Sequence, residues 1–342
     1  MQTWRRELRM GERPSDHDAD WRAMVGLSES HDEFAYLDGA LKSGGPPPAT
    51  PSPLATAPLI IDTDLGGDPD DAVALAVAAL TVPELALVIT TDEFRGERAR
   101  FARHYLDLLG RPDVPVVSGT DLGNDRYFCV EGLTPDSVGA QSTDAETAVE
   151  TVCANDMPVR WLGIGPASNL AALLASRPDL VERMAVTQMG GALAYRDPTR
   201  AEHNFRLDPA AAIRLVREVR RLALVTADVT FNAAIEITGQ SPLYQRLAAD
   251  DAPAWAALLR SHLDRWMARF HPGSMQHDAL ALAAALLWPG IRFGRERVVI
   301  GDDARMRRSD DGQPVKVSLY ADYPDFMTWL SGRLVRRSAA RA

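Results

Sequence analysis

The sequence predicts an α/β protein built on an open, mainly parallel sheet with helices on both faces. Three observations carry that expectation. From Pro58 onward, short apolar runs alternate with segments whose apolar residues recur at helical spacing. The composition, 46% hydrophobic and 25% charged over 342 residues, is that of a soluble globular chain long enough for one large domain plus an appendage, or for two domains. Chemically rich segments also fall where predicted strands end, which is where open α/β sheets bind ligands.

Residues 1–57 read as an N-terminal appendage and linker. Trp21, Met24, Val25 and Leu27 could anchor one short helix, and Phe34, Leu37 and Leu41 another. The run Gly44-Gly45-Pro46-Pro47-Pro48 and the prolines after it suit an extended connection, with disorder as the plainer alternative. The domain itself is expected over 58–335, with a basic tail at 336–342. Residues 59–61 form a short buried strand, and the spacing of Ala72, Val73, Leu75, Ala76, Ala79 and Leu80 predicts a helix. Then come a strand at 85–91, a helix at 97–109 closed by Gly110, and a strand at 114–117. Helices at 145–154, 169–175 and 209–219 precede strands at 159–164, 185–189 and 222–226. The remainder reads as mostly helical, with helices at 252–270 and 278–287.

The net charge of −10 argues against a nucleic-acid polymer or an anionic membrane as partner. No apolar run approaches the roughly 18 residues of a membrane span. The charged N-terminus has no apolar stretch behind it, and Cys129 and Cys153 show no metal-binding spacing, so a reduced, cytoplasmic setting is expected.

The densest chemistry is Asp62-Thr63-Asp64-Leu65-Gly66-Gly67-Asp68-Pro69-Asp70-Asp71, five aspartates directly after an apolar strand. So many carboxylates stay ionised at close range only around a cation, and oxygen-only ligands favour a hard divalent ion, Ca²⁺ or Mg²⁺. Helix capping explains one or two acidic residues at a helix start, not five. An EF-hand fails because Gly66 and Val73 stand where acidic ligands are required, and no Walker string is present. Gly163-Ile164-Gly165 lacks the third glycine of a dinucleotide fingerprint. A phosphatase of the haloacid dehalogenase type also places D-x-D at a strand end, but it needs a lysine well after that motif. The only lysines here are Lys42, ahead of it, and Lys316, near the C-terminus.

Two further segments carry candidates. His277-Asp278 opens an apolar helix: either a surface residue and a helix cap, or a carboxylate that completes a cation's ligand set beside a proton donor. Glu202 and Asn204 precede a helix that starts near Asp208-Pro209, and are either solvated loop residues or ligands for substrate hydroxyls; Asp208 reads as structural.

Together these strings resemble the nucleoside hydrolase family (inosine-uridine preferring nucleoside N-ribohydrolases) over residues 58–293. The resemblance rests on D-T-D-x-G-x-D-x-D-D at 62–71, Ile89-Thr90-Thr91, Gly163-Ile164-Gly165-Pro166-Ala167-Ser168-Asn169-Leu170-Ala171, Met189-Gly190-Gly191-Ala192, Glu202-His203-Asn204 with Asp208-Pro209, Ala227-Asp228-Val229-Thr230, and His277-Asp278. It implies an open α/β fold around Ca²⁺, with Mg²⁺ the second choice. Asp64, Asp71 and Asp278 would bind the ion, and Ser168 would offer its backbone carbonyl. Asp64 would take a proton from the attacking water, Asp70 would hold sugar hydroxyls, Glu202 and Asn204 other sugar oxygens, and His277 would assist the leaving base. The implied partner is a small nucleoside-like substrate, and the implied assembly is a homodimer or homotetramer.

Three departures bear on the substrate. Arg95 and Arg196 fall where the family has sugar-contacting asparagines, and Glu131-Gly132-Leu133 replaces a His-containing loop. Two arginines at a sugar pocket could clamp an anionic group such as a 5'-phosphate; alternatively, shifted loops turn both side chains to solvent. The expectation is thus Ca²⁺-dependent cleavage of an N-glycosidic bond, with a non-catalytic nucleoside or sugar sensor as the alternative on the same fold.

Overall fold

A computed structural model describes residues 52–124, 126–155 and 157–334. The expectations for 1–51 and for the tail at 336–342 lie outside the described residues. The chain enters through β1 (Leu59–Thr63), whose residues are all buried and face alternate sides: Leu59 and Ile61 join one core, Ile60 the other. Helix α1 (Asp70–Thr81) follows, buried almost throughout and rich in alanine. Strand β2 (Leu85–Thr90), helix α2 (Glu97–Leu108) and strand β3 (Val116–Ser118) complete the first half. The second half alternates α3 (Ala145–Val152), β4 (Val159–Gly163), α4 (Ser168–Ser176), α5 (Pro178–Glu182) and β5 (Met184–Met189). After these come α6 (His203–Leu207), α7 (Pro209–Glu218), β6 (Leu222–Val225) and α8 (Ala227–Thr230).

The chain then runs through β7 (Glu236–Thr238), α9 (Pro242–Leu247), α10 (Ala254–Arg269), β8 (Gly273–Met275) and α11 (His277–Ala285). Strands β9 (Ile291–Ile300), β10 (Met306–Arg308) and β11 (Gln313–Ala321) and helix α12 (Tyr323–Leu334) close the described chain. The nine-stranded sheet has the order β10-β9-β11-β6-β5-β4-β1-β2-β3, and β7 pairs with β8 in a separate ribbon. From β3 to β11 every neighbouring pair is parallel. The chain builds outward in one direction from β1 and in the other from β4, so the strand order reverses between these two, and their carboxyl ends border the natural ligand crevice.

The mostly helical reading of the C-terminal stretch is corrected. Strand β9 pairs antiparallel with β11 and with β10 and extends the sheet. Its ten residues include four charged ones and are largely exposed, so its apolar signal is weak. Strand β11 hides the usual strand pattern only partly: Val315 and Val317 are buried while Lys316 between them is exposed.

Candidate active site

Two helix starts converge to make the site. Asp70 and Asp71 open α1, and Asp278 lies in the first turn of α11, which packs along α1. Both helices lie within the core, and their small alanine side chains allow close approach. The Asp278 backbone N–H donates to Asp70 Oδ2 at 3.3 Å and ties the two starts together. Oxygens of Asp70, Asp71 and Asp278 come within 4.8 Å of one another, a separation that one ion can span. Asp64 and Asp68, from the loop joining β1 to α1, line the same cleft of about 690 Å³. The helix N-termini favour negative charge there, but not enough to offset burial.

Burial first raises every one of these carboxylates; repulsion adds to it, from Asp92 and Glu202 at Asp64 and from within the group at the others. Asp64 is pushed up to about 7 and Asp68 to about 8, and Asp70, Asp71 and Asp278 lie well above the usual range. Burial also lifts Asp62 to about 8, but it is turned away from the cleft and accepts from Asn169 Nδ2 at 2.8 Å. A buried, mutually repelling set of oxygen donors, with no sulfur or imidazole among the three nearest, fits a hard divalent cation.

The loop that carries the carboxylates is clamped from behind. Arg98 on α2 is buried, and its guanidinium donates to the carbonyls of Asp64 and Leu65 and, at 2.7 Å, to that of Asp92. Its charge is also the main one that lowers Asp64. The Thr63 hydroxyl donates to Asp71, the Ser274 hydroxyl to Asp68, and His262 Nε2 sits 2.9 Å from the Gly67 carbonyl. A side chain at Gly165 would collide with Thr91 and crowd Asp64, so the β4–α4 turn requires glycine there. Asn169 uses both ends of its amide, donating to Asp62 and the Thr90 carbonyl and accepting from the N–H and hydroxyl of Thr120.

The opposite wall comes from the segment after β5. Glu202 caps α6 by accepting the N–H groups of Asn204 and Phe205, and it also accepts that of Gly191 at 2.9 Å. Burial raises its pKa. Asn204 Nδ2 donates to the Met189 carbonyl at 3.2 Å, and both side chains line the cleft. His277 Nδ1 lies 2.7 Å from the Thr230 hydroxyl; burial, followed by Arg196, pushes the ring down to about 4 and keeps it neutral.

Of the residues singled out from sequence, the cleft gathers Asp64, Asp70, Asp71, Glu202, Asn204, Arg196, His277 and Asp278. Asp70 stands with Asp71 and Asp278 in the tightest carboxylate group, rather than apart from it. Ser168 is buried at the start of α4, where its hydroxyl donates to Asp208 Oδ2 at 2.7 Å, outside the cleft lining. Arg95 does not reach the site. It is exposed, with φ at +53°, and lies over Phe94, because Asp92 and Glu93 turn inward to hold Arg98 and the start of α2. Glu131 is also outside, paired with Arg269; its loop sends Arg126 and Tyr127 to the cleft instead. Sequence reasoning missed Arg98, Tyr127 and Phe231, none of which sits in a motif.

Fold and site together define an open α/β protein with a carboxylate-floored cleft at its strand-order reversal. The family model described as inosine-uridine preferring nucleoside hydrolase matches residues 59–327, and the chain belongs to that family. The phosphatase alternative falls with this assignment, and Lys316 is exposed on β11, away from the cleft. The chain is 31% identical over 248 residues to the pyrimidine-specific ribonucleoside hydrolase RihA of Enterobacter sp. (strain 638), covering 66% of this chain and 78% of that one. It is 31% identical over 199 residues to the protein of the same name from Escherichia coli O81 (strain ED1a), and spans 63% of that relative's length. A plant nucleoside hydrolase, PpNRh1, shares the fold with a TM-score of 0.69 at 20% identity, covering 82% of this chain and 100% of that one. The purine-preferring ribonucleoside hydrolase from Gardnerella vaginalis does so at 0.65 and 23% identity, covering 81% and 97%.

Proposed function

We propose that this chain hydrolyses the N-glycosidic bond of a nucleoside-like substrate and releases free base and sugar with the help of one Ca²⁺, Mg²⁺ being the second choice. The observation that carries this reading is the meeting of Asp70, Asp71 and Asp278, 208 residues apart in sequence, in the same cleft as Asp64. Asp64, Asp70, Asp71 and Asp278 are the proposed ligands of the ion; the Ser168 carbonyl that the family resemblance implies lies on a residue outside the cleft lining. When bound, the cation supplies Lewis acidity that lowers the pKa of the attacking water. Asp64, a carboxylate of the cleft floor, takes the proton from that water. The ring of acidic oxygens favours positive charge developing on the sugar. Asp70 has one oxygen committed to the Asp278 N–H, which leaves the other for a sugar hydroxyl or the ion. Glu202 and Asn204 bind the remaining sugar oxygens. His277, neutral and with Nδ1 held by Thr230, has no hydrogen-bond partner at Nε2 among the described residues and donates a hydrogen bond from there to the departing base.

The finer reading is a sugar that carries an anionic group such as a 5'-phosphate. Its support is the charge of the cleft wall, where Arg126, Arg196, Arg200 and Arg206 face an acidic floor. The protein is proposed to act as a homodimer or homotetramer in the cytoplasm. A reducing-sugar assay over a nucleoside and nucleotide panel tests the activity, with the enzyme stripped by chelator and then supplied with Ca²⁺ or Mg²⁺. Release of sugar that disappears on chelation and returns most fully with Ca²⁺ is expected. Binding of nucleosides without sugar release would instead identify a sensor.

A further inference from the structure

We propose that Arg126, Arg200 and Arg206, gathered around His203, form an anion subsite at the mouth of the cleft that receives a phosphate monoester on the substrate's sugar. The three arginines come from three separate segments: the loop after β3, the loop after β5, and helix α6. All line the same cleft. Several surface arginines are paired with carboxylates: Arg177 with Glu150 and Asp179, Arg308 with Glu296, and Arg305 and Arg307 with Asp303. Among the described residues these three have no ion-pair partner. Two acidic groups feel them only at longer range: Asp197, occupied by the N–H and hydroxyl of Thr199, feels Arg200, and Glu202, occupied by the N–H groups of Gly191, Asn204 and Phe205, feels Arg206. Like charges brought together without a counterion are unfavourable, and an anion held between them removes that cost.

His203 sits between them and is prepared as a neutral donor. Arg206 Nη2 lies 3.1 Å from His203 Nδ1. A guanidinium can only donate, so Nδ1 accepts and the neutral ring carries its proton on Nε2. Burial, then Arg206, Arg98, Arg200 and Arg126, push the ring down to about 4, which agrees with that state. Tyr127 holds the ring edge-on at 5.5 Å, and Arg126 lies over the Tyr127 face at 5.0 Å.

Arg196 belongs to a different part of the wall. Its guanidinium lies 4.1 Å above the Phe231 ring, and Phe231 stacks on His277, on the leaving-group side. The anion is therefore assigned to the other three. An acidic floor and a basic rim also orient the substrate: a dianion is repelled from the carboxylates and held outward, with the sugar below it. A cleft of about 690 Å³ has room for a nucleoside monophosphate.

This assignment rests on the proposed N-glycoside hydrolysis for its substrate, but it can be tested without turnover. Calorimetric titration of the full chain at low salt should show ribose 5-phosphate binding at least about tenfold tighter than ribose. That preference should be lost in the Arg126→Ala/Arg200→Ala double variant and weakened in Arg206→Ala, with thermal melts confirming the fold. Equal affinity for the two sugars, or a preference that survives the double variant, overturns the subsite. In turnover, the ratio of kcat/KM for a nucleoside 5'-monophosphate to that for its nucleoside should fall about tenfold in the double variant but not in Arg196→Ala. A ratio that follows Arg196 instead also overturns it. If ribose 5-phosphate is preferred while no N-glycoside is cleaved, the hydrolase reading fails and the subsite stands. If nucleosides are cleaved and the phosphate gives no advantage, the reverse holds.

Discussion

Asp278 is the residue whose replacement separates function from stability. In Asp278→Asn the oxygen triad loses one charge, so the rise in melting temperature on adding Ca²⁺ should disappear and turnover should fall about a hundredfold or more. The chelated variant should nevertheless melt no lower than the chelated wild type at pH 8, because one repelling buried charge is gone; scanning fluorimetry with and without Ca²⁺ reads both effects. Arg98 should behave in the opposite way. Arg98→Met leaves the Asp64, Leu65 and Asp92 carbonyls without their donor and should cost about 3 kcal/mol or more in chemical denaturation. Arg98→Lys should restore little of it, since a single ammonium cannot reproduce the forked contacts. The aspartates and His277 were legible in the sequence because they cluster or adjoin a helix start. Arg98, Tyr127 and Phe231 were not, because their roles come from neighbours far away in the chain. Arg95 was misplaced because spacing alone cannot register that Asp92 and Glu93 turn inward and leave Arg95 outside.

Among the elements, the segment between β5 and α6 is held by distant anchors, Arg305 at the Pro198 carbonyl and Asp228 nearer its start. Asp228 at the start of α8 accepts the N–H groups of Leu193 and Ala194 at 2.8 and 2.7 Å, and so fixes the loop that carries Tyr195, Arg196 and Arg200. Asp228→Ala should raise KM several-fold with a stability loss of only about 1 kcal/mol, a split that kinetics and a melt together would reveal. A large loss of stability with unchanged KM would mean that Asp228 supports the fold and not the loop. The α/β alternation through 59–226 was legible because its strands are buried and its helices carry clear periodicity; Asp208 likewise caps α7 as its position before Pro209 suggests, accepting from Ala211 at 2.9 Å. The antiparallel strands β9 and β11 were not, because an outer strand exposed on one face mixes charged and apolar residues.

At the scale of the molecule, the buried acids make stability depend on pH and on metal. A carboxylate whose folded pKa exceeds its unfolded value near 3.8 keeps a proton that the unfolded chain releases, so stability falls as pH rises toward the folded pKa. Between pH 4 and 6.5 the buried His203, His262 and His277, all pushed down to about 4, act in the opposite sense. From pH 6.5 to 8 only the aspartates act, with Asp62 and Asp68 near 8 and Asp64 near 7. Chelated protein should therefore lose stability across that interval, and saturating Ca²⁺ should flatten the slope; denaturant titrations at pH 6.5 and 8 measure it. An unchanged or rising stability would show that the acids are not held protonated.

The hydrogen bond from the Asp278 backbone to Asp70 also has a consequence for biosynthesis. A nascent chain carries Asp70 and Asp71 from residue 71 onward, yet the proposed ion site lacks its third carboxylate until residue 278 and the helix it opens have been made. If the proposed ion binds, chains that stop before residue 278 would gain no protection against proteases from it, whereas chains that extend beyond α11 would.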